Sequence, residues 1–129
     1  MNSEDATELV ERFLRLMEAR DLETAESLMA PGVKITFPGS RHYSSQREVV
    51  AAASGRYQWI KKRFLKIEAF QQDDTVIVYV IGTLYGENLQ RIPFDGIRFV
   101  DRFLVRNGRI EQQDVWNDLA ESGVLSREA

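Results

Sequence analysis

The sequence predicts an α+β fold, with helices in its first half and an antiparallel sheet in its second. Three observations carry this. Apolar residues in the first half recur at helical spacing. From Phe64 onward they fall in strand-like runs, several with period two. Asn107-Gly108 lies between two such runs and is the strongest short hairpin signal.

The first helix is expected to be capped by Asp5, with Glu8 completing a capping box. Leu9, Val10, Phe13, Leu16 and Met17 form its apolar stripe. Asp21 caps a second helix, where Leu22, Ala25, Leu28 and Met29 share a face until Pro31-Gly32 ends it. Val33 to Phe37 alternates as a short strand, and Pro38-Gly39 opens the polar loop Ser40–Ser44. A third helix starts near Ser45 with Glu48 three residues on, carrying Val49, Ala53, Tyr57 and Ile60 along one side, with Gly55 as its weak point. The short basic run Lys61-Lys62-Arg63 reads as its solvated end.

Four strands follow as a meander. Phe64–Phe70 is the first and turns at Gln71–Asp74. Thr75–Tyr85 is apolar on both faces, as a central covered strand would be, and turns at Gly86-Glu87-Asn88. A long strand runs from Ile92 to Arg106 and the last from Arg109 to Asn117. The tail from Leu119 is expected to cover part of the body and fray at its end. Neither an internal repeat nor a linker interrupts residues 1–129, which read as a single domain.

Alternation singles out one residue. Ile97, Phe99, Asp101, Phe103 and Val105 share a face of the long strand, and Asp101 is the only polar group among them. A buried carboxylate is costly unless it is paired, hydrogen-bonded or protonated. Asp101 is therefore either satisfied structurally, by Asn117, Gln113, a backbone group or Arg98, or held for its shifted pKa beside a pocket.

Composition narrows the function. The net charge is -3, which disfavours a nucleic-acid or anionic-membrane surface. The chain has no cysteine and one histidine, His42, so thiolate chemistry is excluded and no metal site is expected. Gly-rich phosphate loops are missing, and Gly82-x-x-x-Gly86 falls in a strand and its turn, so no cofactor is expected either. No apolar run reaches the length of a membrane span, and Met1–Asp5 is polar and acidic, which gives a cytoplasmic protein as the expectation.

Three segments resemble the nuclear transport factor 2-like superfamily, and most of all its SnoaL-like polyketide cyclase and ketosteroid isomerase branch. They are Phe13–Leu22, Val33–Gly39, and the C-terminal set Phe99–Phe103, Asn107–Ile110 and Trp116–Asp118. The resemblance covers essentially the whole chain. It implies a cone-shaped barrel of a curved, mainly antiparallel sheet closed by three helices, with a deep apolar pocket on the concave side. The convex side of such folds commonly pairs two subunits, so a homodimer is implied.

The same resemblance tests particular chemistries. Ketosteroid isomerase chemistry needs a carboxylate base, a tyrosine and a protonated aspartic acid. Those positions fall on Phe37, Phe13 and Asp101, so two of the three groups are missing. Limonene-epoxide hydrolase-like chemistry resembles an Asp-Arg-Asp set with two members on the central strand, and Thr75–Tyr85 carries no charge. SnoaL-like cyclases resemble a single acid/base assisting an aldol closure, for which Asp101 suffices, with Asp114 and Asp118 as the alternatives on or just after the last strand.

The expectation is a protein with a pocket for a small apolar, oxygen-bearing molecule. It acts either as an isomerase, cyclase or hydrolase, or as a non-catalytic ligand-binding or protein-interaction module. Asp101 is the candidate catalytic group, oriented by Asn117 or Gln113. Phe13, Phe37, Tyr43, Tyr57, Tyr79, Phe99, Phe103, Gln113 and Trp116 are candidate substrate contacts. The last strand leaves two registers open: Glu111, Gln113, Val115 and Asn117 inward, or, after a bulge, Gln112, Asp114 and Trp116.

Overall fold

Helices α1 (Ser3–Glu18), α2 (Leu22–Ser27) and α3 (Gln46–Ala53) cover one face of a six-stranded sheet in the structure, a computed structural model that describes residues 1–128. The strands are β1 (Met29–Phe37), β2 (Arg41–Tyr43), β3 (Tyr57–Gln72), β4 (Thr75–Asn88), β5 (Pro93–Arg106) and β6 (Arg109–Asn117). A short helix α4 (Leu119–Ser122) and a 3-10 turn (Val124–Ser126) follow. The α+β class is as expected. The sheet is curved but stays open, in the order β2-β1-β6-β5-β4-β3. It is mixed, because β1 lies parallel to β6 while every other pair is antiparallel.

Local signals explain most boundaries. Asp21 caps α2 by accepting from the Thr24 amide, and Ser45 caps α3 by accepting from the Glu48 amide. Glu48 returns the interaction to the Ser44 amide, one residue before the cap. Asn107 and Gly108 both have positive φ (51° and 75°), as a tight two-residue hairpin turn demands.

Four expectations are corrected. Asn2, not Asp5, caps α1, since its Oδ1 accepts from the Asp5 amide. Helix α2 stops at Ser27, and Met29 already begins β1, bonded alongside Ile110. Helix α3 stops at Ala53, and residues from Tyr57 belong to β3, so Lys61-Lys62-Arg63 is strand and not a helix end. Arg41–Tyr43, expected in a loop, forms the edge strand β2.

Core residues of α1 (Ala6, Val10, Phe13, Leu14) pack on inward residues of the sheet, including Val78, Val80, Phe99, Phe103 and Val105. Each fully buried large apolar side chain contributes about 1.5–3 kcal/mol. Two glycines let β3 press onto β4. A Cβ on Gly82 would lie 1.9 Å from the Arg63 carbonyl oxygen, and one on Gly86 would lie 2.1 Å from that of Trp59. The β3–β4 register shifts near both places, between Tyr57 and Trp59 and between Phe64 and Lys66.

The C-terminal segment is fastened by Asn88, which is fully buried. Its amide nitrogen donates to the Val124 and Arg127 carbonyls, and its oxygen accepts from the Gln90 and Ile92 amides. Leu119 and Val124 join the core, so the tail does cover the body. No helix among the described residues is long and apolar enough to cross a membrane.

Candidate active site

The β4–β5 pairing sets Asp101 opposite Val80 and the β5–β6 pairing sets it opposite Val115, which fixes its side chain on the concave face. Asp101 is 0% exposed. Neither carboxylate oxygen has a hydrogen-bond partner. Its counter-charge is Lys62, whose Nζ stands 3.5 Å from Oδ2. Burial pushes the Asp101 pKa up from its ordinary value, and the Lys62 ammonium pulls it partly back. The ammonium also sits 5.3 Å from the centre of the Phe99 ring.

Lys62 reaches this place because β3 alternates. Ile60, Lys62 and Phe64 turn inward, while Lys61 and Arg63 face solvent. The strand is held to α1 by Glu18, which accepts from the Lys62 amide at 2.7 Å, and by Arg15, which donates to the Lys62 carbonyl at 3.2 Å. Arg15 and Glu18 also pair with each other at 2.9 Å.

In front of Lys62 lies a cavity of about 80 Å³. Leu14, Met17 and Glu18 of α1 line it, with Arg20 from the following turn and Gln46 and Val49 from α3. Tyr57, Ile60 and Lys62 of β3, Phe37 of β1 and Gln113 of β6 complete the wall. Gln46 and Gln113 are both buried, and the Gln46 amide donates to the Gln113 oxygen at 3.0 Å. Gln46 is anchored further by its backbone amide to the Glu26 carboxylate. The wall is therefore mixed in polarity and not simply apolar, with two cations (Arg20 and Lys62), one carboxylate (Glu18) and two amides (Gln46 and Gln113) brought together. An apolar cavity of about 150 Å³ accommodates benzene, so a ring-sized guest here must displace a flexible wall residue such as Met17 or Arg20.

This geometry can polarise an oxygen. Lys62 presents a charged donor to the cavity, and the buried carboxylate behind it fixes that donor in place. Among the described residues no cluster of three or more His, Cys, Asp or Glu side chains is placed to hold a metal ion.

Residues 10–113 match the SnoaL-like domain family. The chain belongs to that family. Solved structures agree on the nuclear transport factor 2-like fold. TerC, crystallised with polyporic acid, superposes with a TM-score of 0.78 at 19% identity, covering 95% of this chain and 99% of its own. An NTF2-like protein of unknown function from Burkholderia pseudomallei K96243 gives 0.77 at 18% identity, with 98% and 100% covered. A protein from Jannaschia sp. CCS1 named for the SnoaL-like polyketide cyclases gives 0.69 at 17% identity, with 98% and 95% covered. No curated protein matches.

Within this SnoaL-like domain the sequence candidates separate into groups. Phe37, Tyr57 and Gln113 line the cavity. Tyr43 stands at its edge, its ring 5.6 Å from that of Phe37 and its hydroxyl accepting from Arg41. Phe13, Phe99 and Phe103 are core behind the wall, with Phe13 and Phe103 edge to face at 5.8 Å. Asp101 also lies behind the wall, screened by Lys62.

Tyr79 and Trp116 are corrections, because both point to the convex face. Tyr79 sits opposite Arg102 and stacks on Phe70, and Trp116 is 54% exposed. On β6, Gln113 and Val115 are buried while Asp114 pairs with Arg102 on the other side, so the first of the two expected registers holds there. A register shift between Leu104 and Val105 lets Ile110 point inward as well. Asn117 does not orient Asp101: its oxygen accepts from the Leu119 amide at the entry to α4. Gln113 is committed to Gln46.

Lys62, Glu18 and Gln46 are not among the sequence candidates. The pattern Ile60-x-Lys62-x-Phe64 carries the period-two signal that places Lys62 inward. Nothing local marks Glu18 or Gln46, whose roles come from packing between distant elements.

Proposed function

We propose that this SnoaL-like domain is an acid–base enzyme for a small oxygen-bearing substrate, catalysing an isomerisation or an intramolecular aldol-type closure through an enolate. The observation supporting it is a single one: a cavity-lining lysine backed by a fully buried carboxylate that has no hydrogen-bond donor. The Lys62 ammonium donates to the substrate's carbonyl oxygen and stabilises the negative charge that develops there. Asp101 holds that ammonium in place by its opposite charge, and the α-proton leaves to solvent water and returns from it while Lys62 holds the enolate oxygen. Neither ketosteroid isomerase nor epoxide hydrolase machinery is part of this reading, since Phe13 cannot donate a hydrogen bond, Phe37 cannot take a proton and β4 carries no Asp-Arg pair.

The test is α-proton exchange of small cyclic ketones and enols in deuterated buffer, followed by NMR beside binding by thermal shift. The wild type is expected to catalyse exchange, and Lys62→Gln to retain binding while losing about 10²-fold or more in exchange rate. Val49→Phe, which fills the cavity, is expected to abolish both. Binding without exchange in the wild type would favour a non-catalytic binder. That second reading draws support from Asp101 standing behind the cavity wall instead of in it.

The convex face carries Phe70, Tyr79, Ile81, Val100, Leu104 and Trp116, a broad apolar patch on one side of the sheet. A homodimer through this face belongs to the proposal. Light scattering is expected to give twice the chain mass, and Trp116→Glu to give the monomer. A wild-type monomer at micromolar concentration would remove the dimer from the reading.

A further inference from the structure

We infer that the paired side-chain amides of Gln46 and Gln113 form a second polar subsite of the cavity, one that takes a hydroxyl group of the substrate. This rests on the pocket reading above and adds a group that the ligand carries besides the oxygen held by Lys62.

Both glutamines line the cavity, and both are almost completely buried, at 1% and 3% exposed. Each stands on a regular element. Gln46 opens α3 directly after its cap Ser45, and its backbone amide is tied to the Glu26 carboxylate of α2. Gln113 lies within the sheet, opposite Ile35 of β1 and Phe103 of β5. The two side chains thus meet from anchored backbone, as a preorganised site requires.

The pair uses only part of its hydrogen-bonding capacity. Gln46 Nε2 donates to Gln113 Oε1 at 3.0 Å and faces Met29 Sδ at 3.5 Å. Those two contacts occupy both of its hydrogens. Among the described residues, Gln46 Oε1 accepts from no donor and Gln113 Nε2 donates to no acceptor. Neither atom is closed off from space as the two Asp101 oxygens are. Turning both amides over exchanges the roles and again leaves one oxygen and one nitrogen free. A pair kept only to tie α3 to β6 would idle this capacity at a buried wall, which is costly. Beside a cavity, the same acceptor and donor are a recognition site.

The complement is a group that accepts one hydrogen bond and donates one. A hydroxyl does both through a single oxygen, which suits a cavity of about 80 Å³. A ketone, ether or carboxylate oxygen only accepts, and would leave the Gln46 oxygen without a donor. The ligand then spans two polar points, with its carbonyl at the Lys62 ammonium and its hydroxyl at the amide pair. Two-point attachment fixes its orientation, which one contact at Lys62 does not.

The experiment measures dissociation constants by NMR titration for 3- and 4-hydroxycyclohexanone against 3- and 4-methylcyclohexanone, in which a methyl group of similar size replaces the hydroxyl. In the wild type at least one hydroxyketone is expected to bind about tenfold or more tighter than its methyl counterpart. The same compound is expected to move the Gln113 side-chain amide protons downfield. Gln46→Met/Gln113→Met removes both amides together and keeps their volume. It is expected to bind hydroxy and methyl compounds within about twofold of each other. Equal affinity for the two classes in the wild type overturns this inference alone, whether or not the double variant folds. So does a hydroxyl preference that survives in the folded double variant, because the hydroxyl would then be held elsewhere. Failure of all four compounds to bind at millimolar concentration overturns the inference together with the pocket reading beneath it.

Discussion

Replacing Lys62 by methionine is expected to destabilise the domain by about 3–5 kcal/mol at neutral pH, the usual cost of stripping one partner from a buried ion pair. Asp101 is 0% exposed and its oxygens have no hydrogen-bond donor, so Lys62 is its sole compensation. The loss should depend on pH in a defined direction. Burial raises the folded-state pKa of Asp101 above its unfolded value, so the folded protein binds more protons across that interval. Stability from this group is therefore highest below the unfolded value and falls as pH climbs through the raised one. Removing Lys62, which opposes the rise, extends the interval upward.

Urea denaturation between about pH 4 and pH 8 should show the variant losing more stability at the alkaline end than the wild type. The double variant Lys62→Met/Asp101→Asn should regain most of the loss and flatten the profile. Parallel profiles for wild type and single variant would mean that Asp101 carries no charge in the folded state at these pH values.

A methyl group on Gly82 should be nearly as damaging, by a different route. Its carbon would stand 1.9 Å from the Arg63 carbonyl oxygen and 3.0 Å from a Phe99 ring carbon. The obstacle is backbone on a paired strand, so β3 must lift or lose its ladder locally. Gly82→Ala is expected to cost about 3 kcal/mol, which for a domain of this size lowers the melting temperature by roughly 10 °C. Gly55→Ala is the control, because its added carbon meets nothing nearer than the Ala52 carbonyl oxygen at 3.8 Å. It should change stability by no more than about 1 kcal/mol. Calorimetry of the two variants side by side decides the matter, and equal melting points would refute the close-approach account.

The two glycines also bear on the site. Lys62 pairs with Leu84, midway between Gly82 and Gly86, so the segment of β3 that carries the ammonium is the segment pressed against β4. Gly82→Ala should therefore disturb the Lys62–Asp101 pair as well as the ladder.

Asp101 is legible in the order of residues along β5, because strand pleating assigns faces from local alternation alone. The same logic, with the hairpin at Asn107-Gly108, places Gln113 inward. Lys62 is hidden by a competing period. Val49, Ala53, Tyr57 and Ile60 fit helical spacing, and only Gly55 signals that the helix ends before Tyr57. Tyr79 and Trp116 show a different limit. Their aromatic character suits a pocket, but β4 is apolar on both sides, so the face of Tyr79 is set by its partner strand, and the face of Trp116 turns on the register of β6, which the sequence leaves open. Asp101 opposite Val80 sends Tyr79 outward, and that pairing is a tertiary fact. The cavity's composition is illegible for the same reason, since Glu18, Gln46 and Gln113 meet only when α1, α3 and β6 are assembled.

The parallel seam between β1 and β6 has a kinetic consequence. Ile35 pairs with Gln113, so strands from opposite ends of the chain must find each other before the wall that carries Phe37 and Gln113 exists. Such non-local pairing repays its loop-closure entropy only late in folding. The site is then a product of the final descent to the native state and not of the nucleus. A ligand recognising the closed wall acts on the exit from that state: it prolongs the lifetime of the folded domain and leaves the speed of its formation unchanged.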